Sequence, residues 1–325
     1  DVLDVSDLRF PGGTSHSIAE EVRAQHAAGY RTGLVHVNGP LITRTLPVSP
    51  RIRRLVEDGA ARLEVSGAPL RARLVVVRHP AVVQHGAAQL PPVHCEELVL
   101  VANAPSRGPD GTELYDPVAA GRAARAAFGR EPRWAPIGPD VRADLAAHGI
   151  PAAAMTDEDW VNVIDAAAWW RPRPAPDPSR PPVVGRHSRP SPQKWPSDPE
   201  VLRQVYPVDG SLPVRVLGGA DPVRRLLGRV PPAWEVHEFG SLDAAEFLAG
   251  VDVFVYFHDP GWREAFGRTV LEAMAAGVPA VLPRSFEPLF GDAALYADPH
   301  RVRGLVQELW ADPQRYAEQV ARGRR

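Results

Sequence analysis

The stretch REAFGRTVLEAMAAGVPAVLP, residues 263–283, sets two carboxylates eight positions apart, Glu264 and Glu272, around a Phe-Gly. A hydrolytic acid/base pair needs carboxyl groups roughly 5–10 Å apart. Eight residues of helix rise about 12 Å, and Glu264 falls on the loop before the helix, so the pair addresses different parts of one ligand. The plainer reading pairs Glu272 with Arg268 on a solvated face and leaves Glu264 as a loop charge. Residue types alone leave both open. Gly277 and Pro279 stop the helix. Val270 and Met274 form its inward stripe, Glu272 points away from that stripe, and Ala273, Ala275 and Ala276 keep the helix slim enough for a second body to approach. The free N–H groups that follow Phe266-Gly267 make a seat for phosphate.

Cations come next. In VVGRHSRPSPQKWP a strand ends at Gly185, and Arg186 and Lys194 emerge on a proline-rich loop, with Arg189 as a rival. Two fixed cations stabilise charge that develops on a departing phosphate more than charge already present; on its own, a basic loop is usually solvated. In FPGGTSHSIAEEV, Gly12-Gly13 lets backbone approach a ligand, and Thr14, Ser15 or Ser17 can cap the helix that follows. A tight strand–helix turn explains that loop equally well, as it does Gly218-Gly219. No G-x-G-x-x-G follows any strand. His94-Cys95 lacks the partners of a zinc site.

These residues need a frame. Short apolar runs alternate with helix-like stretches, the pattern of a parallel sheet with crossover helices. The first half predicts strands near Val2–Val5, Gly33–Val37, Leu74–Val77, Leu98–Val101 and Trp160–Ile164, with helices at Ile18–Ala28 and Val118–Phe128. The second half predicts strands at Val183–Gly185, Val214–Leu217, Trp234–Glu238, Val251–Tyr256 and Ala280–Leu282. Its helices fall at Pro199–Val205, Leu242–Leu248, Arg268–Ala276 and His300–Leu309. Between the halves lies RPRPAPDPSRPP, Arg171–Pro182, which proline excludes from helix and inner strand. The expected division is therefore a domain over 1–170, a stiff linker over 171–182 and a second domain over 183–325. Trp169-Trp170 is expected at the floor between them. Two such α/β domains place a ligand cleft at the C-terminal edges of their sheets.

Composition agrees. The chain has 325 residues, 44% of them apolar and 23% charged, with a net charge of -2. That is enough for two cores, and it leaves no footprint for nucleic acid. One cysteine, Cys95, excludes an internal disulfide and fits a reducing compartment. No apolar run spans a bilayer. RIRRL and RRLLGR are read as solvated helix faces rather than lipid contacts. The last residues, ARGRR, stop inside a helical stretch, which leaves room for a further element.

The run EAFGRTVLEAMAAGVPAV resembles the Glu-x7-Glu signature of the retaining family 4 glycosyltransferases of the GT-B fold, including the Phe-Gly, the Glu-Ala-Met-Ala and the Gly-x-Pro. AEFLAGVDVFVYFHDPGWRE resembles the helix, strand and loop that lead into it, and the likeness covers most of Val183–Pro299. It implies two Rossmann-like domains facing across a cleft. It implies a nucleotide-diphosphate sugar as donor substrate, a hydroxyl acceptor (glycan, lipid-linked or small molecule), and no cofactor or metal. By the resemblance Glu272 holds the ribose, Glu264 the donor sugar, and Arg186 with Lys194 the leaving phosphate. Amides around Gly267, Arg268 and Thr269 face phosphate or sugar, Gly12 and Gly13 approach the diphosphate, and the segment from Glu238 to Gly240 meets the base. In VVVRHP and VLVANAP, His79 and Asn103 stand as candidates on the acceptor side; Asn103 occupies a position where many members carry histidine, and it cannot take a proton. The family places such an enzyme in the cytoplasm, with the inner membrane face as a contact surface, making cell-surface polymers or tailored metabolites. The alternatives are a non-catalytic sugar-nucleotide binder and a sugar-nucleotide epimerase on the same fold.

Overall fold

Proline governs where helices start. The chain carries 36 prolines, yet Pro50, Pro80, Pro117, Pro139, Pro199 and Pro313 each open a helix, where a missing N–H costs nothing. Asp116, Asp198 and Asp312 precede three of them and accept hydrogen bonds from amides of the first turn. The computed structural model describes residues 1–10, 12–108 and 110–325, which divide into two units, Asp1–Ile164 and Asp165–Arg325.

The first unit holds a parallel sheet of β1 (Val2–Ser6), β2 (Thr32–His36), β3 (Ala61–Leu63), β4 (Leu70–Arg78), β5 (Val93–Ala102) and β6 (Arg133–Pro136), in the order β3-β2-β1-β4-β5-β6. Central strands read as continuous apolar runs because both faces are covered: Val75, Val76 and Val77 are all buried. Ile18, Ala19 and Val22 of helix Gly13–Ala27 pack with Ile52 and Leu55 of helix Pro50–Glu57 around Leu34.

The second unit repeats the plan with β7 (Val184–His187), β8 (Val214–Leu217), β9 (Trp234–His237), β10 (Val253–Val255), β11 (Ala280–Leu282) and β12 (Leu295–Tyr296), in the order β12-β11-β10-β7-β8-β9. Strand alternation deals side chains to two cores. Val253, Val255 and Val281 join the cluster with Trp195, Tyr206 and Trp310, while Phe254, Tyr256, Ala280 and Leu282 join the one with Val270 and Met274. In each unit the order reverses beside the first strand, between β1 and β4 and between β7 and β10, and ligands of such sheets bind at that switch point.

Some expectations need correction. Trp160–Ile164 forms no strand. Val161 and Val163 are 48% and 40% exposed, so no second layer covers the segment, and Trp160 instead donates its amide to the Pro136 carbonyl and its indole N–H to Glu21. Strands β3, β6 and β12 were not anticipated. The division falls at Ile164/Asp165, ahead of the proline-rich stretch. That stretch is strapped to the second unit: Arg173 donates to the carbonyls of Leu248, Ala249 and Val251, and Arg180 makes a two-pronged pair with Asp252 at 2.6 and 3.1 Å. The Trp310 indole donates to the carbonyls of Asp177 and Arg180, each at 3.0 Å. Trp169 packs on the core around Val270, and the Trp170 ring lies against Gly277 and under Arg324. No helix among the described residues is long and apolar enough to cross a membrane.

Candidate functional site

Helix Arg268–Ala275 begins at Gly267, whose φ of 81° lies in the left-handed region and whose backbone passes so close to Phe286 that a Cβ would sit 2.9 Å from its ring. Glycine is the residue that fits both demands. No side chain caps the helix, so its first amides are left to other partners. Val270, Ala273, Met274 and Ala275 are buried. Glu272 is buried as well, at 4% exposure, which removes the solvated reading of this carboxylate. The expected i−4 pair is present, with Arg268 Nε 3.1 Å from Oε1. From β7, His187 brings Nε2 to 3.6 Å from Oε2.

Glu264 is no free loop charge either. Its Oε2 accepts from the Lys194 ammonium and, at 2.9 Å, from the Tyr256 hydroxyl. The Lys194 and Glu264 side chains are 10% and 15% exposed. Burial alone would raise the Glu264 pKa, but Lys194 and Tyr256 hold it below the usual carboxylate range. Burial pulls the Lys194 pKa down against the pull of Glu264, helped by Arg189 and Arg186. Burial and Glu264 raise Tyr256 well above the ordinary phenol, so it stays a donor. Lys194 Nζ also lies 4.9 Å from the centre of the Trp262 ring.

Arg186 departs from its expected place. It is fully buried, and its guanidinium donates to protein oxygens: Lys194 O at 2.6 Å, Ser188 Oγ at 3.1 Å, Tyr206 OH at 3.3 Å and Phe257 O at 3.4 Å. It stacks 3.5 Å from the Trp195 ring centre, with Tyr206 and Tyr256 at 5.4 Å. The loop to Lys194 is wound around this cation, which holds the lysine by its backbone carbonyl. Arg189, its rival, is exposed.

Phe266 is buried, edge-on to Phe290 at 5.9 Å, so it supports the Glu264 loop from beneath. Arg268 and Thr269 are half-buried in the first helical turn. The Glu238 carboxylate lies over Gly219, 3.0 Å from where a Cβ would stand, and Phe239 beside it is 54% exposed. Gly218 and Gly219 both donate their amides to the His237 carbonyl at 2.9 Å.

In the first unit, Gly12 is the N-cap residue of helix Gly13–Ala27 without a side-chain cap. The expected hydroxyl caps do not form: Ser15 donates to the Phe10 carbonyl and Ser17 to the Gly13 carbonyl. A Cβ on Gly13 would meet nothing within 4 Å, so packing does not demand that glycine. His79 ends β4 with φ 74° and accepts from the Ala81 amide, capping helix Pro80–Gly86. Burial drives its pKa down to about 4, and it sits between Phe10 and Tyr115. Asn103, just past β5, keeps Oδ1 buried and without a hydrogen-bond partner among the described residues.

No family model matches the chain, and no curated protein matches it in sequence. Solved structures do match over nearly its whole length. HepE of Anabaena, in complex with UDP and glucose, is 14% identical, with 99% of this chain and 93% of that one covered and a TM-score of 0.65. A glycosyltransferase from Rickettsia africae ESF-5 is 11% identical over 99% and 92%, with a TM-score of 0.63. The catalytic domain of starch synthase IV from Arabidopsis thaliana, bound to ADP and acarbose, is 11% identical over 99% and 94%, with a TM-score of 0.60. The fold is GT-B.

In this GT-B chain the switch-point edge of the second sheet thus gathers Arg186, Lys194, Glu264 and Glu272, all within one unit. Two carboxylates can accept hydroxyls there, and one ammonium can meet an anion. Reading the sequence missed His187, Tyr256, Trp195 and Trp262. His187 directly follows Arg186, and the aromatic residues flank Lys194 and Glu264, so the chemistry-bearing pairs were the signal available for finding them.

Proposed function

We propose that this protein is a retaining, metal-independent glycosyltransferase that moves a sugar from a nucleoside diphosphate to an acceptor hydroxyl. One observation carries the reading: at the switch-point edge Glu272 is buried and the Glu264 side chain is only 15% exposed, each with a cation on one oxygen. Burying charged carboxylates is costly without such partners, and a solvated helix face has no need of it. The Glu-x7-Glu spacing and the Gly-Arg with its following lysine support assignment to family 4.

In this reading Glu272 accepts the ribose hydroxyls and Glu264 those of the donor sugar. Lys194, released from Glu264 toward the ligand, meets the charge that grows on the leaving phosphate. Arg186 sets the lysine's place through the carbonyl it grips. The bond from the anomeric carbon to the phosphate oxygen breaks, and a bond to the acceptor oxygen forms on the same face. The acceptor's proton passes to the departing phosphate, so no base from the first unit is required. His79 and Asn103, the acceptor-side candidates, follow the ends of adjacent strands of the first unit.

A thermal-shift panel of nucleotide sugars, followed by hydrolysis and transfer assays with the donor that stabilises most, tests the proposal. Stabilisation by one donor class with turnover supports it. No stabilisation by any donor refutes it, and stabilisation without turnover leaves only the binder.

A further inference from the structure

His187 is the buried polar group that the proposed chemistry leaves without a task. It closes β7, its side chain is 8% exposed, and it is wedged edge-on between Phe254 at 5.4 Å and Phe247 at 6.3 Å. Burial and the neighbouring Arg186 hold its pKa down at about 4 against a backbone bond at Thr269, so the ring is neutral near pH 7. Its Nε2 is buried with no hydrogen-bond partner among the described residues. Leucine or phenylalanine would fill this apolar pocket without stranding a nitrogen, and stranded polar groups in native folds need a reason. The reason on hand is what Nε2 faces: Glu272 Oε2 at 3.6 Å. A closure of about half an ångström turns that gap into a hydrogen bond once the ring's single proton stands on Nε2 rather than toward the backbone at Thr269.

We propose that His187 is a positioning residue for Glu272, fixing the carboxylate from the strand side while Arg268 fixes it from its own helix. The proposal rests on the reading of Glu272 as the ribose acceptor. A neutral ring suits the task. It orients Oε2 without neutralising it, whereas a charged partner on each oxygen would compete with the incoming hydroxyls. Because Nε2 is itself covered, His187 acts through the carboxylate and not on the ligand.

The test is the preference for ribose over deoxyribose, which a packing defect alone does not change. Binding of UDP, ADP and GDP and of their 2′-deoxy and 3′-deoxy forms is measured by calorimetry on the full chain, for wild type, Glu272→Gln, His187→Leu and His187→Gln. The expected result is a ribose preference of about tenfold in wild type, lost in Glu272→Gln, reduced to within about twofold in His187→Leu, and largely kept in His187→Gln. Full preference in His187→Leu, or equal weakening of ribo and deoxy forms, overturns the positioning role while the ribose reading stands. Full preference in Glu272→Gln, or none in wild type, overturns the ribose reading and this inference with it. Should His187→Leu fold poorly, His187→Phe keeps a ring against Phe254 and decides in its place.

Discussion

Replacing Arg186 by lysine separates two ways in which a cation can serve this site. The guanidinium donates four hydrogen bonds, at 2.6, 3.1, 3.3 and 3.4 Å, and stacks on Trp195. Lysine keeps the charge but not the fork, and with three donors it strands at least one of the four oxygens. Breaking a buried, hydrogen-bonded charge of this kind costs about 3–5 kcal/mol. For a unit of roughly 150–250 residues each kcal/mol moves Tm by about 2–4 °C, so the expected fall is about 6–20 °C. The assay is scanning calorimetry of the full chain, following the transition of the second unit, with kcat measured well below it. Activity should fall too, because the Lys194 carbonyl loses its anchor. A variant that melts within about 1 °C of wild type while turnover drops a hundredfold would refute the reasoning, since Arg186 would then touch the ligand directly and not the loop.

Further outcomes follow from the same geometry. Lys194→Met should lower kcat by about 10²–10³, with donor Kd changed far less; equal losses in both would mean that the lysine binds the ground state as strongly as the transition state. Glu272→Ala should raise the nucleoside diphosphate Kd about tenfold or more, about 1.4 kcal/mol, and leave kcat closer to wild type, as steady-state kinetics with saturating donor would show. Two buried groups of the first unit pull its acid stability in opposite directions. Asp4, raised by burial to about 6 despite Arg78, gives stability that is present below its unfolded pKa and lost as pH rises through 6. His79, lowered to about 4, gives stability that is present above its unfolded pKa and lost as pH falls through 4. Each amounts to roughly 3 kcal/mol. Asp4→Asn should therefore expose the histidine, making denaturant stability of the first unit fall more steeply than wild type between pH 6.5 and 4; parallel profiles would contradict the assignment.

The sheet frame was legible where strands are long or apolar. Val214–Leu217 and helix Pro199–Val205 fall where the pattern puts them, because β-branched runs and an Asp-Pro start are local signals. Strands β3, β6 and β12 span two to four residues, too few for periodicity to register, and only their neighbours make them strands. Trp160–Ile164 alternates like a strand yet joins no sheet, and its indole is claimed by Glu21 across the unit. The spacing of the glutamate pair was legible in the sequence. The burial of Arg186 was not, because its partners Tyr206 and Phe257 lie far along the chain and meet it only after the sheet has formed. Likewise the proline-rich segment looks like free linker until Asp252 is seen waiting for Arg180.

That strap changes where the chain can be cut. A fragment beginning at Val183 would discard Arg173 and Arg180, leaving the buried Asp252 with no counter-ion and the turn at Leu248–Val251 with bare carbonyls. The natural incision lies at Asp165, upstream of the tryptophan pair. A protease nick among the prolines would leave the severed ends still moored to the same lobe.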